Sequence, residues 1–580
     1  MRFDVSRTAL LFSLVLLSAS ALAQTPAQTP DLGPNVAIFS PSTPVTQMQS
    51  AIDTVYAAQH HNEFGPQRNA FLFLPGNYHL DVPIGFYTQV AGLGATPDAT
   101  HISGNVHVDA AFRNNNATTT FWRSAENLSV TPTDGTMQWA VSQAVSLRRM
   151  HILGNLVLDQ QHGWASGGWM SDTLVDGNVD SGSQQQWISR NSDWKTWTGS
   201  NWNMVFVGVP HPPAGDWPVP PYTKVALTPI VREMPYLQVD AANHWTLRVP
   251  ALRHNSTGTS WMTLDPRPEP AIPFSKIYIA HPEHDTAATI NAQLARGKNL
   301  LLTPGIYDLS EPLRVTHPNT VVLGLGFATL HPTHGTAAIT TADADGIILA
   351  GLLIDAGEQL SPILVQIGPT TSHAHHARNP ISLHDIFFRV GGAGIGRAGI
   401  NLEINSNDTI VDHTWIWRAD HGQGVGWDKN LSRNGLVVNG NDVTIYGLFV
   451  EHHQQFQVLW NGNYGRTYFY QSEIPYDPPT QAVYTSTPGT DGWASYKVAD
   501  SVTNHEAWGL GVYSVFTYPN VFLSHAIKAP VTPHVRFHDM ITVCLLSHGG
   551  IRHIIDNKGD PTVCAPPRRV DPKLTLFPTP

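Results

Sequence analysis

Short apolar stretches separated by Gly, Asn and Asp run the length of the chain, with no long amphipathic helices between them. In the second half they fall at Ile347–Ile354, Ile381–Val390, Thr409–Trp417, Val443–Val450 and Thr467–Ser472. Their starts lie about 20–35 residues apart, a spacing that predicts strands joined by irregular loops. An immunoglobulin-like sandwich predicts closer spacing and more regular alternation. Even spacing with small turn residues predicts a solenoid of stacked strands.

The same opening occurs twice. FLFLPGNYHL at residues 71–80 matches LLLTPGIYDL at 300–309, and VAGLG at 90–94 matches VLGLG at 322–326. A helix-like stretch precedes each copy, at Val45–Gln59 and Ala287–Arg296. Three matches in one order identify a long internal repeat. The expected fold is all-β: two tandem right-handed parallel β-helices side by side, each with a helix capping an open end of its stack. Residues 35–209 form the first β-helix and 275–580 the second, which carries the candidate carboxylates. Between them, residues 210–274 are rich in Pro and read as an extended connection lying against both solenoids, with strands at Tyr236–Val239 and Trp245–Val249.

The N-terminus has a different character. Arg2 and Arg7 precede an apolar run from Ala9 to Ala19, followed by Ala21-Leu22-Ala23. This is the pattern of an export signal cut before Gln24, and the run is too short to span a bilayer. Residues 24–34 read as a flexible lead-in. The mature protein is expected to be secreted or periplasmic, and off the membrane. In that setting Cys544 and Cys564, the only two cysteines, are expected to pair; two buried thiols are the alternative. Charged residues are only 13% and the net charge is −11, which argues against nucleic acid and acidic polymers as partners.

Six of the 17 Trp fall in one stretch: Trp164, Trp169, Trp187, Trp194, Trp197 and Trp202. Indole faces stack on pyranose rings, so in a charge-poor exported protein the stretch points to a neutral polysaccharide, although half of these rings are expected in the core. The same stretch contains GSQQQW, where alternation puts Gln184 and Gln186 on one face and Gln185 on the other. Glutamine amides can hold a water or a sugar hydroxyl without charge; a polar ladder along the solenoid is the plainer reading. Nearer the C-terminus, Glu473 in YQSEIPYDPP and Glu506 in HEAWGLGVY sit among aromatic residues. Apolar surroundings raise a carboxyl pKa toward what a general acid needs.

Taken together, PGxY followed by GLG in both halves, GSQQQW, YQSEIPYDPP and HEAWGLGVY resemble the family 55 glycoside hydrolases, over about residues 35–565. The resemblance implies two pectate-lyase-like β-helices with an active site in the cleft between them. It implies inverting hydrolysis of β-1,3-glucan from the non-reducing end, releasing mainly glucose, with no metal or other cofactor. By the same resemblance Glu506 is the general acid, Glu473 positions the water, and Gln184 and Gln186 hold water and substrate. Expected substrate contacts are Trp187, Trp194, Trp202, Trp417, Trp460, Asp420, His453 and Trp508. The expected partner is a β-1,3-glucan, bound by a monomer.

Other clusters have plainer readings. His373, His375 and His376 read as a solvated loop rather than a metal site. His452-His453 either lines the cleft or closes a rung. Asp412, Asp420 and Asp428 flank Trp415, Trp417 and Trp427, and most such acids are turn residues. Two other functions fit the fold. A polysaccharide lyase needs an acidic substrate and a basic residue, which a charge-poor chain serves badly. A non-catalytic carbohydrate-binding solenoid keeps the Trp surfaces without converging carboxylates.

Overall fold

The computed structural model describes residues 29–262, 269–545, 548–564 and 569–578; the expected signal segment lies outside these residues. Two parallel β-helices lie side by side. In the first, a nine-stranded sheet runs from Val36–Phe39 to Tyr222–Val225 and an eight-stranded sheet flanks it. In the second, a thirteen-stranded and a nine-stranded sheet form the main walls. The five strands expected in the second half appear at Ile348–Asp355, Ser382–Val390, Ile410–Arg418, Thr444–Glu451 and Gly465–Glu473, each paired parallel with the next.

The repeated opening has a physical explanation. The Tyr78 hydroxyl donates to the Leu74 and Phe39 carbonyls, and the Tyr307 hydroxyl to the Thr303 and Ala280 carbonyls. Each Tyr therefore ties its own rung to the preceding one. A Cβ on Gly76 would lie 2.2 Å from Pro41, and one on Gly305 2.4 Å from Pro282, so only glycine fits beneath the neighbouring rung. Helix α1 (Val45–Gln59) buries Met48 and Ile52 in the first core. Helix α2 (Ala287–Leu294) buries Ala287, Ile290 and Leu294 in the second, behind a Thr286 capping box. It ends two residues before the expected Arg296.

The connection differs from the expected extended bridge in one respect. Tyr222–Val225 pairs parallel with Asn203–Val207, so the first stack continues past residue 209. The rest is antiparallel: Thr228–Val231 against Arg253–Ser256, and Tyr236–Val239 against Trp245–Arg248 and then Ala271–Pro273. Its Leu237, Trp245 and Leu247 pack with Leu72 and Leu93 of the first solenoid and Leu301 and Leu323 of the second.

The two solenoids also meet through a large aromatic cluster. Phe121, Trp122, Trp169, Ile188 and Val205 come from the first; Phe387, Trp415, Trp417, Tyr446, Phe449 and Phe469 come from the second. A column of left-handed residues crosses the facing sheet: Gly351, Asp385, His413, Gly447, Phe469, Gly509 and Asp539. Each follows a register-aligned residue, as Asp412, Tyr446, Tyr468 and Trp508 show. Each interrupts the two-residue alternation, so Tyr446 and Phe449, three apart, both face the first solenoid.

A charged lattice lies inside this contact. Arg148 donates to both Asp385 oxygens at 2.7 Å and to Asp412 at 2.8 Å. Arg190 donates to Asp412 at 2.9 and 3.0 Å and to Glu233 at 2.8 and 2.7 Å. Burial alone raises the Asp385 and Asp412 carboxyls, but the facing guanidinium groups hold both well below the ordinary range. Their contribution is therefore present above the unfolded value, about 3.9, and is lost as the pH falls. Arg148→Ala takes both guanidinium bonds from the buried Asp385 and leaves Asp412 to Arg190 alone, and is expected to cost about 3–5 kcal/mol, read as a lower denaturant midpoint at neutral pH. A stability within about 0.5 kcal/mol of the parent would show that the lattice does not hold the solenoids together.

Candidate active site

Where the apolar cluster ends, the solenoids separate around a cavity of about 630 Å³. Asn116, Thr118, Phe121, Gln143, Trp164, Ser166, Gln185 and Trp202 line it from the first solenoid. Trp415, Trp417, Asp420, His421, Glu451, His452, Glu473 and Tyr476 line it from the second, with Val515, Leu545 and Arg569 beside them.

Glu451 and Glu473 end the adjacent strands Thr444–Glu451 and Gly465–Glu473. Phe449 pairs with Gln471, so the two glutamates occupy successive rungs about 4.8 Å apart along the stack. The His452 amide donates to the Glu473 carbonyl at 2.8 Å, which locks the two rung ends together. Beyond the left-handed residue of each strand the alternation sends Phe449 and Glu451, and Gln471 and Glu473, toward the first solenoid.

Three carboxyls in this cavity hold protons with different strength. Burial, then the charges of Glu451 and Asp420, push Glu473 well above its ordinary value. The Tyr476 hydroxyl donates to its Oε2, and the Gln471 amide lies 3.5 Å from Oε1. Burial also raises Glu451, to about 7, against hydrogen bonds that favour its ionised form. Those donors include Trp415 Nε1 on Oε2 and Gln143 Nε2 on Oε1, both at 2.9 Å. Asp420 goes the other way. Burial raises it, but the hydrogen bond from His421 and the charges of His452 and His421 bring it to about 2. His421 bridges Asp420 at 2.9 Å and Glu63 of the first solenoid at 2.6 Å. These two carboxylates overcome its burial and raise it to about 10. The cavity therefore presents a Glu473 whose surroundings favour its protonated form, a Glu451 raised to about 7 and an Asp420 held ionised.

Of the residues expected at the site, Glu473, Trp202, Trp417 and Asp420 line the cavity. Glu506 does not. It is the second residue of the strand His505–Ser514, whose Tyr513 pairs with Glu473. Seven residues of strand place it roughly 20 Å away, on an exposed groove where it meets His538 at 3.0 Å. The pairing of Glu506 with Glu473 as acid and water-holder thus fails on geometry. The HEAWGLG motif serves docking instead. The Gly509 carbonyl accepts from the Asn203 amide at 2.9 Å, and a Cβ on Gly509 would lie 2.3 Å from Val205.

The glutamine expectation also changes. Gln184 precedes its strand in a turn; it donates to the Val141 and Leu158 carbonyls and accepts from the Gly167 amide, inside the first solenoid. Gln186 is buried and donates to the Ser166 carbonyl at 2.7 Å, behind the cavity wall. Gln185, on the opposite face in the simple alternation, is the one that lines the cavity, because the bend before Gln186 breaks the period. Trp187 and Trp194 belong to the first core, and Trp460 to the second. His453 is buried against Ser432 and the Ile416 carbonyl, and Trp508 is stacked between Tyr468 and His538. None of these five reaches the cavity.

Of the six clustered Trp, only Trp164 and Trp202 line the cavity; Trp169 stacks on His413 between the solenoids. Asp412 sits in the buried lattice. His376, expected in a solvated loop, is buried between Asp343 at 2.9 Å and Asp345 at 2.7 Å, while His375 is exposed as expected. Cys544 and Cys564 form a disulfide. Sequence reasoning missed Glu451, Gln143 and Tyr476. For Glu451 a signal existed: it ends an apolar strand one rung before Glu473, at the same position in its repeat.

A cavity between two β-solenoids, with a buried Glu451 beside a half-buried Glu473 and an aromatic wall, defines a glycoside hydrolase of pectate-lyase-like build. Residues 277–473 match the model of the LAM55 pectate lyase-like domain. The chain is 48% identical over 535 residues to an exo-beta-1,3-glucanase of Streptomyces sp. strain SirexAA-E, covering 92% of this chain and 87% of that one. The solved structure of sacteLam55A from the same organism superposes with a TM-score of 0.92 at 46% identity, over 95% of this chain and 99% of that one. A glutamate-to-alanine variant of sacteLam55A, solved with glucose, gives the same TM-score and identity over 96% and 100%. The chain belongs to glycoside hydrolase family 55.

Proposed function

We propose that this protein is an inverting exo-β-1,3-glucanase that removes glucose from the non-reducing end of laminarin-type glucans. The observation that carries the reading is the Glu451–Glu473 pair, stacked on adjacent rungs at the interface cavity. Glu473, which keeps its proton, acts as general acid on the departing oxygen. Glu451, once ionised, accepts a hydrogen bond from the attacking water, with the Gln143 amide beside it as a second contact. Trp164 and Trp202, the accessible indoles of the lining, supply ring-stacking surface, and the ionised Asp420 accepts from sugar hydroxyls. The expected export by a leader at residues 1–23 and action as a monomer complete the proposal.

Inverting and retaining enzymes both use two carboxyls, but only in inversion does water displace the leaving group in a single step. Hydrolysis of laminarin oligosaccharides followed by proton NMR from the first turnovers is expected to show α-glucose before mutarotation. Initial β-glucose would recast Glu451 as a nucleophile, and internal cleavage products would refute exo action.

A further inference from the structure

A single buried guanidinium ties together the backbone behind both glutamates. Arg418 ends the strand Ile410–Arg418 and is 1% exposed. Its Nη1 and Nη2 donate to the two Asp477 oxygens at 2.9 and 2.8 Å. The remaining bonds go to backbone: Nε to the Asn430 carbonyl at 2.8 Å, Nη2 to the Gly426 carbonyl at 3.0 Å and Nη1 to the His452 carbonyl at 3.3 Å. Asp477 immediately follows Tyr476, whose hydroxyl donates to Glu473. His452 immediately follows Glu451; its backbone is left-handed, with φ of 66°. The His452 ring also meets the Ile474 carbonyl at 3.2 Å and the edge of Tyr476 at 4.3 Å.

We infer that Arg418 is a positioning residue for the reaction: through Asp477 it holds Tyr476 on the acid Glu473, and through the His452 carbonyl it fixes the strand end that carries Glu451. The inference rests on the reading of Glu473 as acid. The chemistry follows from the donor's direction. While Glu473 is protonated, the Tyr476 bond is between neutral groups. As the proton moves to the departing oxygen, the same bond becomes charge-assisted and strengthens, so it favours the transition state over the bound substrate. A phenol loop free to move loses that gain. Lysine in place of Arg418 keeps the charge but cannot make the fork with Asp477.

Arg418→Lys and Asp477→Asn are each expected to lower laminarin kcat about ten- to a hundredfold, with KM within about twofold. For Asp477→Asn, which acts through Glu473, the loss should be smaller on an aryl glucoside with an acidic phenol leaving group, which departs with little protonation. The basic limb of the pH profile should move to higher pH, because Glu473 loses a donor that favours its ionised form. The other titratable groups facing Glu473 are Glu451, Asp420, His452 and Tyr513, and these variants leave all four in place. Tyr476→Phe should reproduce the effect, and adding Asp477→Asn to it should cost little more, since both act through one contact. The inference is overturned if the two substitutions multiply, if both substrates suffer equally from Asp477→Asn, or if the basic limb stays put. Should Arg418→Lys fail to fold, the Tyr476–Asp477 cycle decides alone. If Glu473→Gln itself keeps laminarin turnover, it is the reading of the acid that has failed.

Discussion

Glu473→Gln is expected to lower laminarin turnover by about three orders of magnitude or more while leaving oligosaccharide binding nearly intact. Glutamine keeps the shape and hydrogen-bonding reach of the acid but has no proton to give, and positioned general acids contribute about 10²–10⁴-fold. Aryl glucosides with acidic leaving groups should lose far less. Glu506→Gln is the contrasting control. Its side chain lies in a surface groove outside the cavity, so turnover should stay within about twofold of the parent. The measurement is kcat and KM for both variants on both substrates. Normal laminarin turnover by Glu473→Gln, or a collapse in Glu506→Gln, would return the acid to the HEAWGLG motif.

Glu451→Gln should remove the other half of the chemistry. Water attack is common to every substrate, so turnover should fall by about 10³-fold on laminarin and activated glucosides alike, within the range for a positioned base. The pH profile provides an independent readout. Hydrolysis needs Glu451 ionised and Glu473 protonated, so kcat/KM of the parent should be bell-shaped. The acid limb belongs to Glu451, raised to about 7 in the free protein, and the basic limb to Glu473, raised by burial and by its carboxylate neighbours. Because the two share one cavity, the limbs report the pair rather than isolated groups. Glu451→Gln should abolish the acid limb. A variant that keeps that limb, or loses activity on laminarin alone, would show that Glu451 does not orient the water.

Residues that act within one rung were readable in advance. The PGxY openings, the five strands of the second half and both cap helices depend on local turn chemistry and apolar stretches a few residues long. Glu473 was legible for the same reason: Tyr476, three residues on in sequence, is its contact in space. Gln184 and Gln186 were misplaced because simple alternation assumes an unbroken strand, and Glu506 because a motif resemblance does not say which end of its strand reaches the cavity. A bend at Gln185 and a left-handed residue at Gly509 each break the alternation, and neither break is marked by residue type alone, since Asp385, His413 and Phe469 occupy the same column.

What the chain carries by itself, then, is its architecture: two repeats of stacked rungs, because rung formation needs only local turns and apolar strands whose cost and gain fall on neighbouring residues. The active cavity is settled elsewhere. Gln143 meets Glu451 across 308 positions of sequence, and Arg148 meets Asp412 across 264. Contacts of that separation arise only when two finished solenoids dock, and docking is what removes water from Glu451 and Glu473 and raises their proton affinity. Desolvation by a distant segment leaves no local mark in the sequence, so the chemistry of these glutamates was decided by the tertiary structure.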